Sequence, residues 1–299
     1  MRAPSAINLH KLVPGLATAL VAAAMALSNS APSAAQDIGE RAIHSQAGPS
    51  PDAHGGQPDN SQPDTPVANP GRPTVSTPAT LTPVGYLQFE TGLLAAWHSP
   101  EFSLQQSLVQ VTKFSLSRRL ELLASTSPFV HSNTEPRNGT GDVTLGAQGI
   151  VSEGEGTRPT VALSYCHDVF SGGTPDLDIG SASNSGIVLL SADVKGFHYD
   201  TNYLFNEQVS DQRIRRGQFG QTLSISHGVG KKFGLAGELW HFTQPLLRGN
   251  ATGNLWAVNY NEKKNLVFDA GFNRGLTATS TRWEIVAGFT YLLPERLHL

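Results

Sequence analysis

The chain has a single cysteine, Cys166, so no intramolecular disulfide can form. Charged residues are sparse, at 15%, with no basic excess: the formal net charge is −3 at pH 7. That balance leaves no electrostatic footprint for nucleic acid, and no nucleic-acid partner is expected. After residue 35 no run is long and apolar enough for a membrane-spanning helix, and no convincing helix is found elsewhere.

What is present begins with an export signal. Arg2 and Lys11 precede the apolar run 12–27, and the small residues Ser33 and Ala35 stand just before Gln36. That is the charged, apolar, small-residue order of a secretory signal peptide, so residues 1–35 are expected to be removed after Sec export. Their loss removes Arg2 and Lys11 and no acid, taking the charge from −3 to about −5. An exported chain without disulfides fits a bacterial envelope better than a eukaryotic extracellular space.

From residue 84 the pattern has period two. Leu87, Phe89 and Leu93 alternate with Gln88, Glu90 and Gly92; Trp283, Ile285, Ala287, Phe289 and Tyr291 alternate with Arg282, Glu284, Gly288 and Thr290. In "GFHYDTNYLFNE" (196–207) one face is Phe197, Tyr199, Thr201, Tyr203 and Phe205, and the other is nearly all polar. Such alternation marks strands with one buried or lipid-facing side. Weaker signals sit near 185–194 and 218–227, where the alternation is not clean. Short turns at 117–118, 194–196, 228–232 and 261–264 largely alternate with longer polar stretches at 128–141, 167–184, 207–217 and 242–253. "HSPE" (98–101) is short for a loop and "SEGEGTRP" (152–159) long for a turn. A tilted strand of roughly ten residues crosses a bilayer, and its backbone is satisfied only if the sheet closes.

The expected fold class is therefore all-β: a transmembrane antiparallel up-and-down β-barrel of about twelve strands over 84–299. A soluble β-sandwich also alternates, but hides its apolar side in a core. Residues 36–83, rich in Pro, Gly and Asn, cannot bury enough apolar surface to offset ordering, so a disordered linker is expected. A plug folded into the lumen is the alternative.

Five stretches in order, "GYLQFETGL" (85–93), "GDVTLGAQG" (141–149), "ELW" (238–240), "DAGFNRGLT" (269–277) and "WEIVAGFTYLL" (283–293), carry a resemblance. Over roughly 82–293 the chain resembles the bacterial outer-membrane proteins of the meta-pathway of phenol degradation family, often called simply transporters. The resemblance implies a barrel that passes hydrophobic or aromatic compounds. Outer-membrane barrels commonly finish on an aromatic residue read by the assembly machinery. This chain ends "TYLLPERLHL", so Phe289 or Tyr291 is expected to carry that signal ahead of a short tail.

The lumen-facing candidates are Glu90, Asp142, His198, Asp200, Glu238, Asp269, Arg282 and Glu284. Carboxylates and arginine paired across a narrow lumen restrict it or orient a polar group of a solute. The simpler reading is that they solvate a wet interior. Glu90 and Glu284 lie on the first and last strands, with Arg282 as the expected partner of either. In "YCHDVFSGG" (165–173), Cys166 and His167 point to opposite faces of a strand and cannot easily share a metal. No metal and no cofactor are expected. "SNSG" (183–186) and Ser226-His227 invite comparison with barrel phospholipases, but no spacing ties a serine, a histidine and an orienting amide together. "RIRR" (213–216) is a basic cluster on an external loop, either solvated or in contact with lipopolysaccharide phosphates. Trp97, Trp240, Trp256, Trp283, Tyr260 and Tyr291 are expected in interfacial girdles.

The leading expectation is a non-enzymatic passive channel for small apolar or aromatic compounds in a Gram-negative outer membrane. Its partners are the lipid bilayer, lipopolysaccharide, the assembly machinery and small hydrophobic solutes. The alternatives are a structural or surface-interaction barrel, then a barrel-embedded hydrolase or a secreted β-sandwich.

Overall fold

A computed structural model describes residues 66–297, except 101, 136, 156, 171–180 and 210–212. The expected signal peptide and residues 36–65 lie outside the described residues.

The period-two alternation is realised as one antiparallel sheet. Its strands are β1 (Leu87–Trp97), β2 (Leu104–Ser117), β3 (Leu120–Ser132), β4 (Asn138–Gly139), β5 (Val143–Ser152), β6 (Thr160–Phe170), β7 (Ser181–Val194), β8 (Phe197–Val209), β9 (Arg215–Val229), β10 (Phe233–Gln244), β11 (Gly249–Lys263), β12 (Leu266–Gly275) and β13 (Trp283–Leu292). Each barrel strand pairs with the next, β1 pairs with both β2 and β13, and β3 pairs with both β2 and β5, so the sheet closes. The two-residue β4 only extends one edge of β3, leaving a twelve-strand up-and-down barrel. No helix occurs among the described residues. Closure matters because no edge is left with unpaired N–H and C=O groups.

The register places both chain ends on one rim: Gln88 pairs with Leu292, and Trp97 with Trp283 at the far rim. On the terminal rim the tight hairpins are 118–119, 195–196, 230–232 and 264–265, with 153–159 as the one longer link. The links on the far rim include 98–103, 133–142, 245–248 and 276–282. Two expected long loops are largely strand instead: β10 runs to Gln244, β11 starts at Gly249, and β9 starts at Arg215. Polar composition there marks strand ends beyond the apolar band, not irregular backbone.

The two faces of the sheet are inverted relative to a soluble protein. Gln88, Glu90, Gln105, Gln148, Asn202 and Asn273 are among the most deeply buried side chains, while Leu93 (65% exposed), Trp256 (63%) and Leu239 (60%) stand on the outside. The aromatic face of β8 follows the same rule, with Phe197 and Tyr203 exposed and Asn202, Leu204 and Asn206 buried.

β7 and β9 explain their weak signals. On β7, Ile187 and Leu189 are buried in the interior while Val188 and Leu190 occupy the alternate positions, so both faces read as apolar. On β9 the inward residues are Gln218, Gly220, Thr222 and Ser224, and Gly220 leaves room that the Phe242 ring uses, with an added Cβ only 2.4 Å from it. Trp240 departs from the girdle expectation. It is buried inside, and its indole N–H donates to Asn273 Oδ1 at 2.8 Å. Gly253 opposite makes space for that ring.

Candidate functional site

The interior is occupied by the chain itself. Residues 66–83 form a strap that runs round the inner wall in the terminal-rim half of the barrel. Ser76 and Ala79 are wholly buried, and Val75 and Thr82 nearly so. The linker expectation therefore does not describe 66–83, and the reason is chemical. Between residues 65 and 86 the only charged residue is Arg72, and no acid occurs. Such a segment brings backbone N–H donors, one cation and small Ser, Thr, Val and Ala side chains to a wall rich in carboxylates.

The path can be followed bond by bond. Ala68 N donates to Lys264 O at 2.8 Å, at the β11–β12 turn. Asn69 exchanges two hydrogen bonds with Gln88. Gly71 N donates to the Glu90 carboxylate at 3.1 and 3.2 Å. Arg72 pairs with Asp269 at 3.3 Å, its guanidinium lying where Gly92 and Gly288 carry no Cβ. Val75 N, Ser76 N and Ser76 Oγ donate to Glu238 at 2.7, 2.6 and 2.6 Å. Thr77 N donates to Asn202 Oδ1 at 2.6 Å, and Asn202 Nδ2 returns a bond to Thr77 O at 2.9 Å. Ala79 N donates to Ser191 Oγ, Gln148 Nε2 to Pro78 O, and Thr82 N to Glu121 Oε2.

The eight sequence candidates divide accordingly. Glu90, Glu238 and Asp269 face inward and hold the strap directly. Asp200 acts one step removed: it accepts from Ser191 Oγ at 2.5 Å and lies 3.2 Å from His198 Nε2, whose Nδ1 is 2.9 Å from Asp193. Asp142 is buried near the far rim, where Ser127 N donates to its backbone oxygen. Glu284 is also buried and accepts from Asn273 Nδ2 at 2.9 Å. Arg282 is exposed and precedes β13, and the cation beside Glu90 is Lys113 Nζ at 2.5 Å. The pairing expected for Arg282 is corrected on that point. Glu90 and Glu284 do lie on adjacent strands, but Glu90 is level with Thr290 and Glu284 with Ala96.

Sequence reasoning missed Arg72 of the strap, the wall residues Glu121, Asn202 and Ser191 that bond to it, and Lys113 beside Glu90. Glu121 had a readable signal: it sits between Leu120 and Leu122, both exposed on the outer face. Arg72 had another, as the only charge in its segment.

Along β7–β10 the inner wall changes character with depth. Against the strap lies an apolar cluster in which Ile187, Leu189, Leu204, Trp240 and Phe242 meet Val75 and Ala79. Nearer the far rim the same wall carries amides and hydroxyls, with Ser185 to Asn206, Asn206 to Gln218 and Gln218 to Gln244 linked across β7–β10. Cys166 lies inward within the apolar cluster, while His167 is outward and bonded to Asn184, so the two residues diverge as their strand spacing requires. Ser226 and His227 likewise occupy opposite faces.

No protein-family model and no curated protein matches the chain, so neither comparison supports the meta-pathway family name. Among solved structures it is similar to an outer-membrane channel from Pseudomonas putida F1, at 13% identity and a TM-score of 0.49 over 72% of this chain and 98% of that one. It is also similar to the NanC porin, at 12% identity and a TM-score of 0.49 over 69% and 100%. The KdgM porin gives 11% identity and a TM-score of 0.46 over 69% and 98%. The barrel itself rests on the strand pairing.

Proposed function

We propose that the chain is an outer-membrane channel of a Gram-negative bacterium, narrowed at its periplasmic end by its own strap, which passes small apolar or aromatic solutes by diffusion. One observation carries the reading: a closed barrel exposes a belt of large apolar side chains and buries amides and carboxylates. A wall of that kind is stable only against lipid. The barrel strands are long enough to cross a bilayer, and the short hairpins set the terminal rim toward the periplasm. The apolar cluster of Leu189, Leu204, Trp240 and Phe242 supports an apolar solute once the strap's Val75 and Ala79, which cover it at rest, move aside.

The test is uptake of a labelled aromatic solute by cells with and without the protein, against a sugar of similar mass. The reading predicts faster uptake of the aromatic alone, in cells whose outer-membrane fraction contains a heat-modifiable band. Equal uptake of both solutes removes the apolar preference, and a soluble periplasmic protein removes the channel altogether. The burial of Ser76 and Ala79 inside the barrel favours a second reading, a closed structural barrel. It predicts no uptake of either solute while the heat-modifiable band remains.

A further inference from the structure

The strap is a loop with a neck and a head. At the neck Asn69 Nδ2 donates to Thr80 O at 2.9 Å, so two residues 11 positions apart close on each other. Compact loops of this length with tied ends are frequently functional. The residues flanking the neck are anchored on acids of the wall: Gly71 N on Glu90, Arg72 on Asp269, and Thr82 N on Glu121 at 2.8 Å. The head, residues 74–79, carries no charged side chain. Its backbone donors go to Glu238, Asn202 and Ser191, and Ser76 Oγ also lies 2.8 Å from Thr222 Oγ1.

The head covers an aromatic wall with very little. Its apolar contribution to the cluster is Val75 and Ala79, set against Leu189, Leu204, Trp240 and Phe242. The Trp240 and Phe242 rings stand 6.2 Å apart, tilted by 51°. Neck and head also differ in what it costs to move them. Moving the neck separates Arg72 from a buried carboxylate, which strands a charge. Moving the head strands no charge of the strap, and water in the opened lumen takes the place of the three donors on Glu238. What then opposes lifting is the wetting of the apolar wall. An aromatic ring settled on that wall removes the cost and makes more dispersion contacts than a valine and an alanine do. A ligand shifts an equilibrium only through its differential affinity for the two states. A solute that needs the space of Val75 and Ala79 binds the lifted state alone.

We propose that an aromatic solute and the head of the strap compete for one site on Leu189, Leu204, Trp240 and Phe242, so that solute binding itself lifts the head while the neck stays anchored. The inference rests on the apolar-solute reading above and adds its regulation: the strap is the resident competitor, and the barrel opens in response to what it carries.

The experiment is amide hydrogen exchange, read by mass spectrometry, on the refolded full chain in micelles with and without naphthalene. Naphthalene binding is followed in parallel by its fluorescence. At ten times the dissociation constant, exclusive binding raises the lifted population about tenfold, and exchange over residues 75–79 should rise by that factor. Exchange at Gly71, at Thr82 and in the barrel strands should not change. Val75→Ser/Ala79→Ser weakens the competitor and should bind naphthalene about tenfold more tightly. Ser76→Cys/Thr222→Cys sets two thiols where the hydroxyls already touch. Oxidised, that variant should lose naphthalene binding, and reduction should restore it. Bound naphthalene with unchanged exchange over 75–79 overturns the competition with the wild type alone, whether or not any variant folds. Binding to the oxidised variant overturns it as well. A chain that binds no naphthalene sinks the apolar-solute reading and this inference with it, whereas binding beneath a still head sinks the competition only.

Discussion

The strap is held by different chemistry on its two sides. Where it passes β12, β1 and β2 the contacts are charged: Arg72 with Asp269, Glu90 with Lys113, and Gly71 N on the same Glu90 carboxylate. Where it passes β10, β8 and β7 the strap presents neutral backbone donors to Glu238, Asn202 and Ser191, beside the apolar cluster. The difference sets how each side fails. Removing one partner of a buried ion pair strands a charge in a poorly solvated place, which costs far more than the intact pair contributes. Removing one acceptor from this series of backbone donors costs the bonds it accepts, more for the Glu238 carboxylate than for the Asn202 amide, and leaves its neighbours intact. The charged side should release all at once, and the neutral side by degrees.

The largest effect is expected from Arg72→Ala, because Asp269, with a side chain 1% exposed, loses its cation. Guanidinium unfolding in micelles should show a loss of about 3–5 kcal/mol, with the strap open to protease. Arg72→Met/Asp269→Asn, which removes both charges, should recover more than half of that loss. A double variant no better than the single would remove the asymmetry between the two sides. Glu238→Ala ranks next, at about 2–3 kcal/mol, since three donors of Val75 and Ser76 lose their acceptor. Planar-bilayer conductance should rise in that variant, with the charged side still closed. Asn202→Ala, which breaks the paired bonds to Thr77, should cost about 1–2 kcal/mol with a smaller rise in conductance. A cost for Asn202→Ala as large as that for Arg72→Ala would make the strap one cooperative unit and erase the distinction.

Much of the barrel was readable because its rule is local. Alternation at β1, β8 and β13 needs only a wet face and a lipid face, and those strands read cleanly. The rule fails where the interior stops being wet. Ile187 and Leu189 point inward against the strap, and Trp240 turns inward to reach Asn273, so both broke the pattern or were assigned to the wrong face. The strap could be weighed only by composition, since its partners lie from 19 to 197 residues away in the chain. The identity of the inward carboxylates was legible from the alternation. Their occupation by backbone N–H groups was not, because a backbone donor leaves no mark in the sequence.

The smallest effect is expected at Lys232, and it sharpens the comparison by testing position without burial. Lys232 lies in the β9–β10 hairpin on the terminal rim and pairs with Glu262 at 3.1 Å, with its ammonium 5.1 Å from the centre of the Tyr260 ring. The Glu262 hydrogen bond holds the lysine pKa above its ordinary value, so the side chain stays charged at any working pH. In bond types it resembles the charged side of the strap. In solvation it does not: both partners are well exposed, water replaces whichever one is removed, and salt screens the remainder. Lys232→Ala should therefore leave unfolding, strap protection and conductance unchanged, although its rim neighbour Lys264 anchors the strap through Ala68 N. A measurable opening of the strap in this variant would mean that the hairpins, and not the desolvated pairs inside, set its hold.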